Sequence, residues 1–183
     1  MEACCAANHW ARQLKLAGLA PKLISPHFVT PYRMEGKTGK NDANDAAAIC
    51  EAAGRPQMRF VPVKTPAQQG LLALHSLREG YVGDRCACMN RVRGVLAEFG
   101  IVIPLTTKKF RTQVLDLIAT KDGDLTPLAR NVLRRCFWHF QELDRHIAWC
   151  NKQIEKHAAT DANAKLARSV RGVGVLSLSL IHI

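Results

Sequence analysis

The sequence has 183 residues, 48% hydrophobic and 22% charged, enough for one large domain or two small ones with a real core. That composition excludes a wholly disordered or collagen-like chain, and no apolar run is long enough to span a membrane. Lys and Arg number 26 against 15 Asp and Glu, a formal charge of +11, which points to nucleic acid as a partner; a solvated basic face without a dedicated partner is the alternative.

The N-terminus lacks a basic region followed by a leucine-rich core, so no secretory signal is expected. Residues 8–17 form an expected amphipathic helix with Trp10, Leu14 and Leu16 on its apolar side, ended by Gly18. Residues 22–25, closed by Pro26, suit a buried strand, and residues 34–39 with their two glycines a loop. Asn41 or Asp42 can cap a helix running to Ala53, which Gly54 and Pro56 stop. Residues 58–63 suit a second strand. Strands separated by helices imply an α/β sheet layer of parallel type.

After Pro66 the pattern becomes helical. Leu71, Leu74, Leu77, Val82, Met89, Val92, Leu96 and Phe99 recur mostly at three or four, weakened by Gly70, Gly80, Gly83 and Gly94. A shorter helix is expected over 109–119, broken after it at Gly123 and Asp124. Thr126 and Pro127 supply a cap and a first helical residue. Beyond them Val132, Cys136, Phe140, Leu143, Ile147, Cys150 and Ile154 make a heptad seam. The two long helices are expected to pair antiparallel, and self-pairing into a dimer stays open. Residues 159–164 suit a linker. An apolar helix end followed by Gly172-Val173-Gly174 suits the hairpin of a helix-hairpin-helix, whose glycines admit backbone N–H groups to a phosphate. The seven cysteines, at 4, 5, 50, 86, 88, 136 and 150, are odd in number and lack CxxC spacing. They suit a reducing cytosol and packing roles rather than zinc. Trp10, Trp138 and Trp149 are expected to pack helices rather than to stack on bases.

The sharpest chemical feature is Lys40-Asn41-Asp42-Ala43-Asn44-Asp45-Ala46. Asp42 and Asp45 lie three apart at a helix start and share a face. Two like charges so placed suit a divalent cation such as Mg²⁺ in phosphodiester chemistry; acids set for the helix dipole are the alternative. Glu2 is a third acid of interest, with a solvated terminus as its alternative. His9 suits a structural or phosphate-facing role rather than metal ligation.

Several blocks in order resemble the DEDD-type, RuvC-like insertion-sequence transposases directed by a bridge RNA. They are Glu2-Ala3-Cys4 with His9-Trp10-Ala11-Arg12, Leu23-Ile24-Ser25-Pro26 with Phe28-Val29-Thr30-Pro31-Tyr32, and residues 40–46 with 48–52. Residues 59–64, Gln68-Gln69, 91–100 and 166–174 continue the series. The resemblance implies an incomplete RuvC/RNase H-like α/β domain over 1–64, an antiparallel coiled-coil region over 65–158, and the start of a C-terminal transposase domain over 159–183. Glu2, Asp42 and Asp45 match the second, third and fourth acids of the family's metal-binding tetrad. The first acid belongs upstream of the Glu2 block, and the nucleophilic serine beyond the helix-hairpin-helix, at neither Ser177 nor Ser179. The sequence is therefore expected to be a fragment truncated at both ends, inactive as it stands, with 176–183 a frameshifted or artificial end.

The activity so implied is Mg²⁺-dependent strand cleavage and transfer, with guide RNA and DNA as partners and a homo-oligomer formed through the helical region. No membrane role is implied, and the location is cytoplasmic and nucleoid-associated. Nucleic-acid contacts are expected from Arg91, Arg93, Lys108, Lys109, Arg134, Arg135, Gly172 and Gly174, with Arg85, Arg111 and Arg130 as further basic residues. The competing expectations are a non-catalytic basic nucleic-acid-binding module and a helical dimerisation protein with incidental charge.

Overall fold

The computed structural model describes residues 1–33, 41–120, 123–161, 172 and 174–178. The chain divides into two compact units, Met1–Gln69 and Gly70–Ile183. The expected loop over 34–39, Lys40, residues 162–164 of the expected linker, residues 166–171, Val173 and residues 179–183 lie outside the described residues, while Ala159 and Thr160 of that linker belong to the last long helix.

In the first unit, helix α1 (Ala7–Leu16) is followed by strand β1 (Leu23–Ile24), a short helix α2 (Pro26–Val29) and a 3-10 turn (Thr30–Tyr32). Helix α3 (Asp42–Ala53) and strand β2 (Phe60–Val61) come next. Gly18 ends α1 with φ +82°, a conformation that glycine adopts without Cβ strain. Its N–H donates to the Lys15 carbonyl, and the next N–H, of Leu19, reaches back to Leu14, closing the helix end. The strands are shorter than expected. Pro26 and Pro62 follow them closely, and proline has no N–H to extend a ladder. β1 and β2 pair antiparallel, Leu23 opposite Val61 and Ile24 opposite Phe60. The parallel pairing expected of this layer is confined to one bridge between Glu2 and Ile24.

The buried face of α1 corrects the sequence expectation. Ala7 and Ala11 pack with Leu23, while Trp10 and Leu16 are exposed. Small side chains let this helix approach the strand closely, and a tryptophan facing inward would hold it off. A second cluster gathers Ile24, Val29, Ala48 and Ala52.

In the second unit, α4 (Pro66–Ala97, with its first turn in the first unit) and α6 (Pro127–Thr160) are the long helices. Helix α5 (Thr107–Ala119) lies between them in sequence and α7 (Val175–Leu178) follows. The start of α4 is a reciprocal cap: Gln68 N–H donates to the Thr65 hydroxyl, and the Thr65 N–H donates to the Gln68 side chain. Thr126 caps α6 by accepting from the Ala129 N–H. The antiparallel arrangement of α4 and α6 follows from their contacts. Arg78 donates to Asn151 at 2.7 Å, Tyr81 stacks on His146, Arg85 pairs with Asp144, and the Cys88 thiol reaches the Cys136 carbonyl.

The core joins Met89, Val92 and Leu96 of α4, Phe110 and Val114 of α5, and Leu133, Phe137, Phe140 and Leu143 of α6. The buried stripe of α6 departs from the expected seam at its start. Leu133 and Phe137 are buried, while Val132 is exposed and Cys136 only half-buried. Both registers carry apolar residues over these turns, and the larger leucine and phenylalanine remove more area from water. On α4, Leu77 is exposed and His75 is buried instead. Burial pushes the Cys88 and Cys150 thiols up, and the neighbouring Cys136 adds to the effect at Cys88, so both stay protonated packing groups. The expectation that tryptophans pack helices is not met: Trp138 is 50% exposed and Trp149 53%.

Candidate functional site

The Glu2 segment runs along the edge of β1. Ile24 N–H donates to the Met1 carbonyl at 2.9 Å, and Ala3 N–H donates to Ile24 at 2.7 Å. Ala3 faces the Ala7, Ala11 and Leu23 cluster. Successive residues of an extended segment alternate sides, so Glu2 projects away from that cluster. Asn41 fixes the start of α3 by accepting from the Asn44 N–H at 2.8 Å, which sets Asp45 in the first turn.

Arg33, directly after the 3-10 turn, joins these two places. Its Nη2 donates to both oxygens of Glu2, at 3.0 and 2.8 Å, and its Nε lies 3.2 Å from Asp45 Oδ1. One planar guanidinium thus holds two carboxylates that would otherwise repel. The Glu2 side chain is 13% exposed, that of Asp45 42%. Asp42, in the same first turn of α3, is exposed, and among the described residues no ion pair joins it. Glu2 and Asp45 therefore meet at one cation, and Asp42, three residues before Asp45 on α3, does not join the pair.

Among the described residues no group of three or more His, Cys, Asp or Glu side chains is gathered for a metal ion. Carboxylate oxygens are the hard donors that Mg²⁺ takes, but those of Glu2 and Asp45 are held by the Arg33 guanidinium, whose charge opposes a second cation there. Arg33 is the residue that sequence reasoning missed. No motif marks it, and it lies 31 positions from Glu2.

The basic residues separate into two groups. Arg93 donates to the Pro104 and Leu105 carbonyls and lies over the Phe110 ring, so it ties the end of α4 to the loop before α5. Arg130 similarly serves the Leu125 and Thr120 carbonyls. Arg85 and Arg111 both engage Asp144. Arg134 is half-buried and donates to Asn131. Arg91, Lys108, Lys109 and Arg135 are exposed. Lys108 and Lys109 stand in the first turn of α5, where the helix dipole adds to their positive field. Gly172, at φ +91°, and Gly174 are both exposed.

A family model described as Transposase, for DEDD elements of the IS110 type, matches residues 7–101, just over half of the chain. The "Probable family 20 transposase" of Pseudomonas aeruginosa is 40% identical over 99% of this chain and 53% of its own. The "Transposase for insertion sequence element IS1111A" of Coxiella burnetii is 37% identical over 100% of this chain and 49% of its own. The "Transposase for insertion sequence element IS1328" of Yersinia enterocolitica is 36% identical, over 99% and 52%. The chain spans about half the length of these relatives. No solved structure gives a significant match. Blocks in order along the sequence and a family match over residues 7–101 lead to one conclusion: the chain belongs to the DEDD transposase family of the IS110 type.

Proposed function

We propose that the protein carrying this sequence is an insertion-sequence transposase, a DNA recombinase, in which Glu2, Asp42 and Asp45 hold Mg²⁺ beside a DNA phosphate. The observation that supports this most is the meeting of Glu2 and Asp45 at one cation, from two separate elements. Bound there, a divalent cation would stabilise negative charge developing on the phosphate. Glu2, fixed on the edge of β1, and Asp45, fixed by the Asn41 cap, supply oxygen donors, with Asp42 a third from the same helix turn. Arg33 offsets one of the two negative charges and so lets two carboxylates stand close before any ligand arrives. The family resemblance assigns the nucleophile to a serine in the C-terminal domain, and neither Ser177 nor Ser179 stands at its place. A polypeptide limited to these 183 residues is accordingly expected not to cleave or transfer strands.

The same reading makes residues 1–64 part of a RuvC-like nuclease domain, residues 65–158 a coiled-coil region through which copies assemble, and residues 159–183 the start of a C-terminal transposase domain. Guide RNA reads the donor and target DNA by base pairing, and the protein holds backbones. Arg91, Lys108, Lys109 and Arg135 face solvent and suit that task, with Gly172 and Gly174 admitting a phosphate to the backbone. The protein works beside the bacterial nucleoid. Among the described residues no helix is long and apolar enough to cross a membrane.

One observation favours a second reading, a non-catalytic nucleic-acid-binding module: Arg33 already satisfies two of the three acids. Strand transfer by the whole protein, with guide RNA, donor and target DNA and Mg²⁺, separates the two. Asp45→Asn should lower the rate by about a thousandfold or more. Lys109→Ala should only weaken binding, with the salt slope reduced by about one. Undiminished transfer by Asp45→Asn rejects the nuclease assignment.

A further inference from the structure

The outer face of α6 carries a stripe that its core packing does not use. Arg135, Trp138, Arg145, Trp149, Lys152 and Lys156 follow one another at three, seven, four, three and four residues, so they share one side of the helix. All are exposed, the two indoles by half. The buried stripe through Leu133, Phe140, Ile147 and Ile154 occupies the other side. The Arg135 guanidinium lies over the Trp138 ring, 5.6 Å from its centroid. That contact orders the indole, half of which stays exposed. Glu142 is the acid within the stripe, and Arg145 already pairs with it at 2.9 Å.

We propose that this face docks an unpaired stretch of RNA, with bases stacked on Trp138 and Trp149 and phosphates held by the flanking Arg and Lys. The inference rests on the reading that RNA is a partner of this protein and assigns a surface to it. Charge decides the occupant. The stripe presents a net excess of cations, so this face laid against the same face of a second copy would set mostly Arg and Lys against Arg and Lys. A polyanion meets no such repulsion. The indoles then discriminate among polyanions. Duplex DNA keeps its base faces inside the stack, whereas single-stranded RNA loops offer them to aromatic side chains. The two indoles lie about three helical turns, roughly 16 Å, apart. That distance corresponds to about five stacked nucleotides at ~3.4 Å each.

The test uses the 183-residue chain and two fluorescent probes, an unstructured oligouridine of about twelve nucleotides and a duplex DNA of matched length. Trp138→Ala and Trp149→Ala should each weaken oligouridine binding by about tenfold and duplex binding by less than about twofold. Trp138→Phe should keep most of the affinity, because a phenyl ring still stacks. Circular dichroism should show unchanged helix in every variant, since both indoles are exposed. Equal losses on the two probes, no loss on either, or equal competition by polyglutamate overturns the proposal. Self-association of the unsubstituted chain that Trp149→Ala abolishes also overturns it, in favour of a second copy. If the unsubstituted chain binds neither probe at low salt, the nucleic-acid reading fails together with this surface. If it binds both without dependence on the indoles, only the surface fails.

Discussion

The two units are built differently, and the difference separates broad apolar burial from polar contacts between distant segments. The second unit is long helices around a core of large side chains, with Phe110, Leu133 and Phe140 almost fully enclosed. The first unit has two small clusters, rich in alanine, under two-residue strands. Helices of more than thirty residues repeat one packing rule many times, so their stability is distributed. The first unit instead relies on single contacts between segments far apart in sequence, such as Arg12 to the Lys64 carbonyl, Lys64 N–H to Asn8, and Arg33 to Glu2 and Asp45. Such a construction brings separate polar groups to one point, at the cost of less apolar burial.

The largest expected effect is in the helical core. Phe140→Ala removes a ring that meets both Phe110 and Phe137 and should cost about 3–5 kcal/mol in urea denaturation. Ile24→Ala, in the alanine-rich cluster, should fall near the lower end of its class, about 2 kcal/mol, because small neighbours can close over the gap. A larger loss for Ile24→Ala than for Phe140→Ala would break the comparison.

Next comes the Asp144 hub of the helical unit. It pairs with Arg85 at 2.8 Å and with Arg111, and the Asp144 side chain is 19% exposed. Asp144→Ala leaves Arg85, itself 23% exposed, without its counter-ion and should cost about 1–3 kcal/mol in the same assay. A loss below ~0.5 kcal/mol would place this pair with ordinary surface ion pairs.

A pH effect should also localise to the helical unit. Burial, and then the Arg78 charge, hold the His75 pKa below its ordinary 6.5, with Glu79 opposing. The unfolded chain therefore binds the proton more readily than the folded one. The stability this group contributes is present above about pH 6.5 and is lost as pH falls from there through the lower folded value. His75→Leu should flatten the thermal midpoint across that window; an unchanged slope would contradict the assignment.

The smallest expected effect lies in the first unit and has the opposite sign. Ala6 opens α1 at φ +62°, a left-handed conformation that costs a Cβ-bearing residue about 1 kcal/mol. Ala6→Gly should therefore stabilise the chain by up to about 1 kcal/mol, seen as a raised thermal midpoint.

What the sequence discloses follows the same division. Thr126-Pro127, Asn41 and Gly18 announce helix ends because capping and left-handed turns depend on local chemistry alone. The antiparallel pairing of α4 and α6 is legible from two long periodic runs. The starting register of α6 is not, because Val132-Leu133 and Cys136-Phe137 offer apolar residues to two adjacent faces. The face of α1 is misread because hydrophobicity favours Trp10, whereas close packing selects Ala7 and Ala11. At the site, Glu2 and Asp45 could be named from family blocks and the DxxD spacing. Arg33 could not, because its role exists only once separate segments meet.

The claim that Glu2, Asp42 and Asp45 form a metal site is tested most directly by titrating Mg²⁺ into the 183-residue chain by isothermal calorimetry, beside Glu2→Gln and Asp45→Asn. Each substitution removes a negative donor and should weaken binding by about tenfold or more. Arg33→Gln removes the competing cation and should tighten it. Equal Mg²⁺ affinity in all four proteins, or no binding by the unsubstituted chain together with none by Arg33→Gln, would contradict the account.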